Sequence, residues 1–261
     1  MTNLLSRYGP WAIVAGASEG LGAAYARHLA SKGFHLILIA RRKKQLERIS
    51  DEIQSRYNTK TQVKVLDLSL TDELIQYLRS DLPNIGLAIY NAAYAPLGYF
   101  ADTPMEDLRM VTDVNVRSVL AFTKVIVDRY KGNNRLGGII LMSSMAGGQG
   151  TPRLAAYAAS KSFNTILAEG LWQELKNDNI DVLASIAGAI QTPGFEARSS
   201  ASKTPGILDP EQVVLKTIKH LGKGPTVVPG WTNSIGSFVM TRLLPRKTAI
   251  KMMHNNTKSL R

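Results

Sequence analysis

The sequence predicts an α/β fold, a doubly wound three-layer sandwich in which helices cover both faces of a central parallel sheet. Three observations carry that expectation. Short apolar runs recur along the chain, amphipathic helical patterns fall between them, and 261 residues with 44% hydrophobic content suffice for one large core. Strands alternating with helices imply right-handed crossovers and a sheet buried on both sides. No internal repeat, low-complexity stretch or linker divides residues 1–261, so a single domain is expected.

The first run, "WAIVAG" (11–16), leads into "GASEGLG" and a helical pattern over 20–32. Gly16, Gly20 and Gly22 stand at G-x3-G-x-G spacing, with Leu21 between the last two. Ligands of such sheets bind at the carboxyl ends of the strands, where the strand order reverses. Glycines there let backbone N–H groups and a helix N-terminus approach a pyrophosphate, although such turns also serve merely to pack helix on strand.

The second run, "HLILIA" (35–40), ends at Ala40 and is followed by "RRKK". An acid at this strand end would accept hydrogen bonds from the ribose hydroxyls of NAD; cations stand in its place. Arg41, with Arg42 beside it, suits an adenosine 2′-phosphate, and Ser18 adds a phosphate contact, so NADP(H) is the expected cofactor. Lys43 and Lys44 begin a solvated helix over 42–57. The third run, "VKVLD" (63–67), puts Asp67 at a strand end, where its carboxylate would accept from the adenine amino group while Leu68 packs on the ring. Capping of the helix over 69–82 is the competing reading of Asp67.

The fourth run, "GLAIYN" (86–91), precedes a long helical pattern over 104–130. The fifth, "GIILMSS" (138–144), precedes one over 157–178, and "DVLASIAG" (181–188) is the sixth. Tyr157 and Lys161 in "YAASK" lie four apart and share a helical face. Spacing alone gives them no function.

Composition removes several classes. There is no cysteine, so disulfide and thiolate chemistry are excluded, and His28, His35, His220 and His254 lack metal-ligand spacing. No metal is expected. The absence of a long apolar stretch predicts neither a signal peptide nor a spanning helix, and a cytoplasmic location. The net charge of +12 is concentrated at the end: residues 211–261 hold nine Lys/Arg against Glu211. No aromatic-interleaved basic motif accompanies it, which argues against nucleic acid and for a solvated basic extension over about 230–261. "SFVMTRLLPRKTAIKMM" mixes basic and apolar residues in a way that suits weak peripheral attraction to acidic membranes.

With "GASEGLG", Asp67, "YNAAYA" (90–95), Asn115 in "DVNVRS", "LMSSMAG" (141–147), "YAASK" and "AGAIQT" (187–192) in this order, the chain resembles the short-chain dehydrogenase/reductase family over nearly its whole length. Within the family it looks like the subgroup of long-chain 3-oxoacyl-CoA reductases and 17β-hydroxysteroid dehydrogenases. The resemblance implies a Rossmann-type fold and an NADP(H)-dependent oxidoreductase acting on a ketone or secondary alcohol. Tyr157 would move the proton, Lys161 would bind the nicotinamide ribose and favour tyrosinate, Ser144 would position substrate, and Asn115 would hold a water linking Lys161 to solvent. A cation lowers a nearby tyrosine, ordinarily near 10, by about 1–3 units, which is why the chemistry wants this pair on one face.

The resemblance also implies cofactor-side contacts from Asn91, the backbone of Ile190 and the hydroxyl of Thr192. It implies a homodimer or homotetramer through helices 104–130 and 157–178. Ala15, Ala93 and Ala187 depart from the family's threonine, glycine and proline, changes that bear on local loop geometry and leave the proton-transfer set untouched. The polar segment 192–205 reads as a mobile substrate flap, with Phe195, Tyr94, Tyr99 and Phe100 walling an apolar pocket for a 3-oxoacyl thioester or a steroid. The alternative is a non-catalytic NADP(H)-binding regulator or scaffold with a basic partner-binding tail.

Overall fold

The computed structural model describes residues 4–132, 136–196 and 206–258. Seven parallel strands form one sheet: β1 Trp11–Ala15, β2 His35–Ala40, β3 Thr61–Val65, β4 Ile85–Tyr90, β5 Gly137–Ser144, β6 Ile180–Ala187 and β7 Thr226–Val227, in the order β3-β2-β1-β4-β5-β6-β7. The order reverses between β1 and β4. That reversal opens the crevice where a doubly wound sheet holds its ligand.

The inner strands form because their apolar runs are buried on both faces, whereas β3 at the edge is only partly covered. Alternate residues go to opposite sides: Ala12, Val14, Leu36, Leu38 and Ile140 pack under α2 (Gly20–Ser31), α3 (Lys43–Tyr57) and α9 (Pro210–His220). Ile13, Ile37, Ile39, Ile139 and Val182 pack under α4 (Thr71–Arg79), α6 (Ser118–Gly132) and α7 (Ala155–Glu174). Each large side chain so buried contributes about 1.5–3 kcal/mol. The three layers are those expected.

Four differences from expectation matter for the site. The third strand ends at Val65, so Asp67 lies past it; its Oδ1 accepts from Ser69 N–H and Oγ–H, both at 2.9 Å, an Asx turn that ends the ladder. Asp67 therefore does not cap α4, whose first residue is Thr71. The helix expected over 104–130 is α5 (Met105–Thr112), a π turn (Asp113–Arg117) and α6. Residues 230–258 are not a free extension, because α10 (Trp231–Phe238) and α11 (Arg246–Lys258) fold there and bury Ala249 and Thr257.

The N-terminal helix α1 (Leu4–Tyr8) escaped the sequence patterns. It is tied to β6 through Asp181, whose Oδ2 accepts from Arg7 at 2.6 Å and from Tyr8 Oη at 2.5 Å. Of the expected flap, Thr192 is followed by the short helix α8 (Pro193–Glu196); residues 197–205 lie outside the described residues.

Candidate active site

The glycine turn is pinned on both sides by main chain. Gly16 and Ala17 N–H donate to Ile39 O at 2.8 and 3.1 Å, while Asn91 and Ala92 N–H donate to Ala15 O at 2.9 and 3.0 Å. Gly16 has φ of +88°, and a Cβ there would stand 2.7 Å from Ala92 N. A Cβ on Gly22 would collide with the Gly16 carbonyl oxygen. Only glycine allows this helix start to press so closely on the strand end, leaving a concave backbone turn that fits a pyrophosphate.

The residues expected to contact the nucleotide have partners of their own around this turn. Asn91 Nδ2 donates to Gly16 O at 3.0 Å, so its amide holds the loop. The Leu21 and Leu68 side chains are in the core, 7% and 5% exposed, so Leu21 offers its backbone alone and Leu68 presents no open face to a ring. A Cβ on Gly20 would meet Thr192 Cγ2 at 3.0 Å, which puts Thr192 across the loop; its Oγ1 also accepts from Phe195 N–H. Leu208 N–H donates to Ala189 O and Leu208 O accepts from Gln191 N–H. That bridge turns the N–H and C=O of Ile190 to its other edge.

Beyond β2, Arg42 donates to Ser18 Oγ at 2.8 Å and to Glu19 Oε2 at 2.9 Å. Arg41 is 59% exposed, with Nη1 3.6 Å from Asp67 Oδ2. Both arginines thus border the phosphate side, but Glu19 already occupies Arg42. Arg41 is the less committed cation. A groove of about 500 Å³ opens beside the loop, lined in part by Ser18, Glu19, Gly20, Gln191 and Pro193.

Across the crevice, β5 separates two neighbouring serines by the alternation of its side chains. Ser143 is buried, donating to Lys161 O at 2.7 Å and sharing a hydrogen bond with Thr165 Oγ1 at 2.8 Å. Ser144 is half-buried, and its Oγ accepts from Ala146 N–H at 3.2 Å. The turn after it lies against α7: a Cβ on Gly147 would be 2.6 Å from Ser162 N. Ser144 is thereby the serine placed at the strand mouth.

Lys161 is 2% exposed, and its Nζ donates to Met142 O at 2.9 Å, an acceptor shared with Asn164 Nδ2 at 3.2 Å. Burial pulls the ammonium down to about 8, which leaves it mostly charged at neutral pH. Nζ stands 5.7 Å from the centre of the Tyr157 ring, so the pair shares a face as its spacing predicts. Asn115 sits in the π turn, fully buried, with Oδ1 accepting from Tyr94 N–H and Nδ2 donating to Tyr94 O and Ser160 Oγ. Both its N–H groups are spent and Oδ1 accepts one bond, so a water here would take the second Oδ1 lone pair or a main-chain carbonyl released by the π turn.

The expected aromatic wall is not a closed one among the described residues. Tyr99 and Phe100 are 55% and 64% exposed, Tyr94 Oη donates to Asp107, and Phe195 is half-buried in α8. The hollow touching Tyr157, lined also by Phe100, Leu108, Arg153 and Leu154, is only about 10 Å³. That is room for about one water.

Sequence reasoning missed Arg153. It precedes α7 with φ of +65°, donates to Thr257 O at 2.7 Å and lies over the Tyr99 ring at 5.9 Å. Arg246 likewise donates to Gly148 O at 2.8 Å. The two bonds join both ends of α11 to the single connection between β5 and α7. Nothing local in the sequence signals contacts across a hundred residues. No cluster of three His, Cys, Asp or Glu able to hold a metal occurs among the described residues.

A glycine turn at the sheet's reversal point, with a tyrosine and a lysine on the facing helix, defines the dinucleotide-dependent oxidoreductases of this fold. The family model for the short chain dehydrogenases matches residues 10–203, and the chain belongs to that family, whose members bind nicotinamide cofactors. Very-long-chain 3-oxoacyl-CoA reductase of Candida glabrata is 30% identical over 262 residues, covering 90% of this chain and 73% of the relative. The 7beta-hydroxysteroid dehydrogenase of Clostridium sardiniense is 30% identical over 235 residues, covering 88% and 89%. A solved structure described for 7beta-hydroxysteroid dehydrogenase stereoselectivity superposes with a TM-score of 0.88 at 25% identity, covering 97% of this chain and 99% of the other.

Proposed function

We propose that the protein is an NADP(H)-dependent reductase of an apolar ketone, a 3-oxoacyl thioester or a ketosteroid. The observation that carries this reading is the pairing of Tyr157 with the buried Lys161 ammonium on the helix facing the glycine turn. The glycine turn would hold the pyrophosphate, Arg41 the 2′-phosphate, and Ile190 and Thr192 the carboxamide. The bound nucleotide supplies the hydride.

In this reading Tyr157 Oη donates its proton to the carbonyl oxygen of the substrate. Lys161 stabilises the tyrosinate left behind, because a nearby cation favours the charged phenol. Ser144 Oγ–H orients the carbonyl oxygen toward Tyr157. The π turn at Asn115 offers a carbonyl from which a water could return the proton. The relatives' names support both substrate classes, and exposed Tyr99 and Phe100 supply apolar surface at the mouth.

The test is NADPH oxidation followed at neutral pH against 3-oxoacyl thioesters of graded chain length and a set of ketosteroids. Turnover of at least one class, falling with NADH, is expected. Tight NADPH binding without turnover of either class would overturn the reading.

A further inference from the structure

Helix α10 turns its largest apolar side chains outward. Trp231, Ile235 and Phe238 are 77%, 56% and 57% exposed and follow i, i+4, i+7 spacing, so they form one stripe. Leu243, in the next turn, is 64% exposed, and Met252 on α11 is 46% exposed. Exposed apolar residues occurring singly need no explanation, but a stripe with this much of its area in water does. The segment that follows is cationic: Arg242, Lys247 and Lys251 are exposed, and none makes an ion pair among the described residues. No acid occurs anywhere from Gln212 to Lys258.

We propose that this C-terminal surface docks onto a bilayer bearing anionic headgroups. Trp231, Ile235 and Phe238 would enter the boundary between headgroups and acyl chains, while Arg242, Lys247 and Lys251 meet the negative headgroups. An amphipathic helix with tryptophan on its apolar face and cations beside it has the composition of an interfacial anchor. Charge decides against a second copy as occupant. A two-fold symmetric contact through this face would set Arg242, Lys247 and Lys251 against themselves with no carboxylate on the segment to offset them. Each cation near an anionic membrane instead adds attraction.

The surface also adjoins the site. Arg246 is bonded to Gly148 in the turn after Ser144, and Arg153 is bonded to Thr257 at the end of α11. Docking would therefore hold the strand mouth near a lipid phase, from which an apolar ketone would enter. The docking itself does not depend on the reaction assigned above.

Co-sedimentation with phosphatidylcholine vesicles, with and without phosphatidylglycerol, tests it. The protein should partition onto the phosphatidylglycerol vesicles roughly tenfold or more better than onto phosphatidylcholine alone, with a loss at high salt. The pair Trp231→Ser/Phe238→Ser and the pair Lys247→Glu/Lys251→Glu should each lose that partition while keeping NADPH binding and turnover of a water-soluble ketone. Equal binding to both vesicles, or to neither, would overturn the proposal. So would a fall in molar mass by light scattering in either variant, because the stripe would then be covered by a second copy. NADPH binding without turnover, with vesicle partition intact, would sink the reaction and leave the docking standing.

Discussion

On the glycine-turn side of the crevice the main chain does the shaping, whereas on the side of Tyr157 and Lys161 buried polar side chains do. Gly16, Gly20 and Gly22 offer no side chains, and the turn is held by the carbonyls of Ala15 and Ile39. Across the crevice, Ser143, Lys161, Asn164 and Asn115 are all at most 5% exposed; Ser143 donates to the Lys161 carbonyl, Lys161 and Asn164 to that of Met142, and Asn115 to that of Tyr94. A backbone cradle buries no charged side chain. A buried ammonium costs stability, and a fold keeps one only where something else requires it.

The sharpest way to break this contrast is Tyr157→Phe. It removes the hydroxyl expected to move the proton and leaves the glycines of the turn in place. Turnover should fall about 10²–10⁴-fold with NADPH affinity unchanged; equal loss of both would show that the two sides are not separable. Arg41→Asp tests the other side, replacing a phosphate partner by a repulsive charge. NADPH affinity should fall about 10–100-fold relative to NADH, read by fluorescence titration with each nucleotide. Parallel losses would move the 2′-phosphate away from Arg41.

Gly22→Ala should lower stability by about 1–3 kcal/mol and weaken the nucleotide, since its methyl has to displace the Gly16 carbonyl. Lys161→Met should instead raise stability. Burial holds the lysine below its ordinary 10.5, at about 8, so between these values the unfolded chain binds the proton that the folded chain has released. Stability from this group therefore rises with pH across that window, and below it the buried charge costs about 3 kcal/mol at most. The methionine variant should be inactive, about 1–3 kcal/mol more stable at pH 7 in urea unfolding, and flatter from pH 8 to 10.5. Lower stability at pH 7 would mean that the Met142 hydrogen bond outweighs desolvation.

What the sequence made legible was whatever its local periodicity encodes. Five of the first six strands were visible because their apolar runs are buried on both faces, β3 through its alternating valines alone, and the glycine turn because its spacing is a backbone requirement. β7, with Thr226 and Val227 alone, is too short for a pattern, and α10 is apolar on a face that the core does not use. The side-chain roles were less legible. Asn91 and Leu68 stand beside the crevice in sequence, yet one braces Gly16 and the other fills the core. Ser143 and Ser144 differ only in which way the pleat turns them. Lys161 finds its acceptor on Met142, and main-chain partners leave no trace in residue types.

Arg153 has a consequence for synthesis. Its guanidinium takes an acceptor from Thr257, more than a hundred residues later. The segment that feeds Tyr157 into α7 cannot reach its final set of bonds until Thr257 has left the ribosome. A nascent chain halted before that point already owns the glycine turn and both arginines of β2's end. Nucleotide affinity should then mature early during translation and proton transfer last, an order that ribosome-stalled chains of increasing length would display.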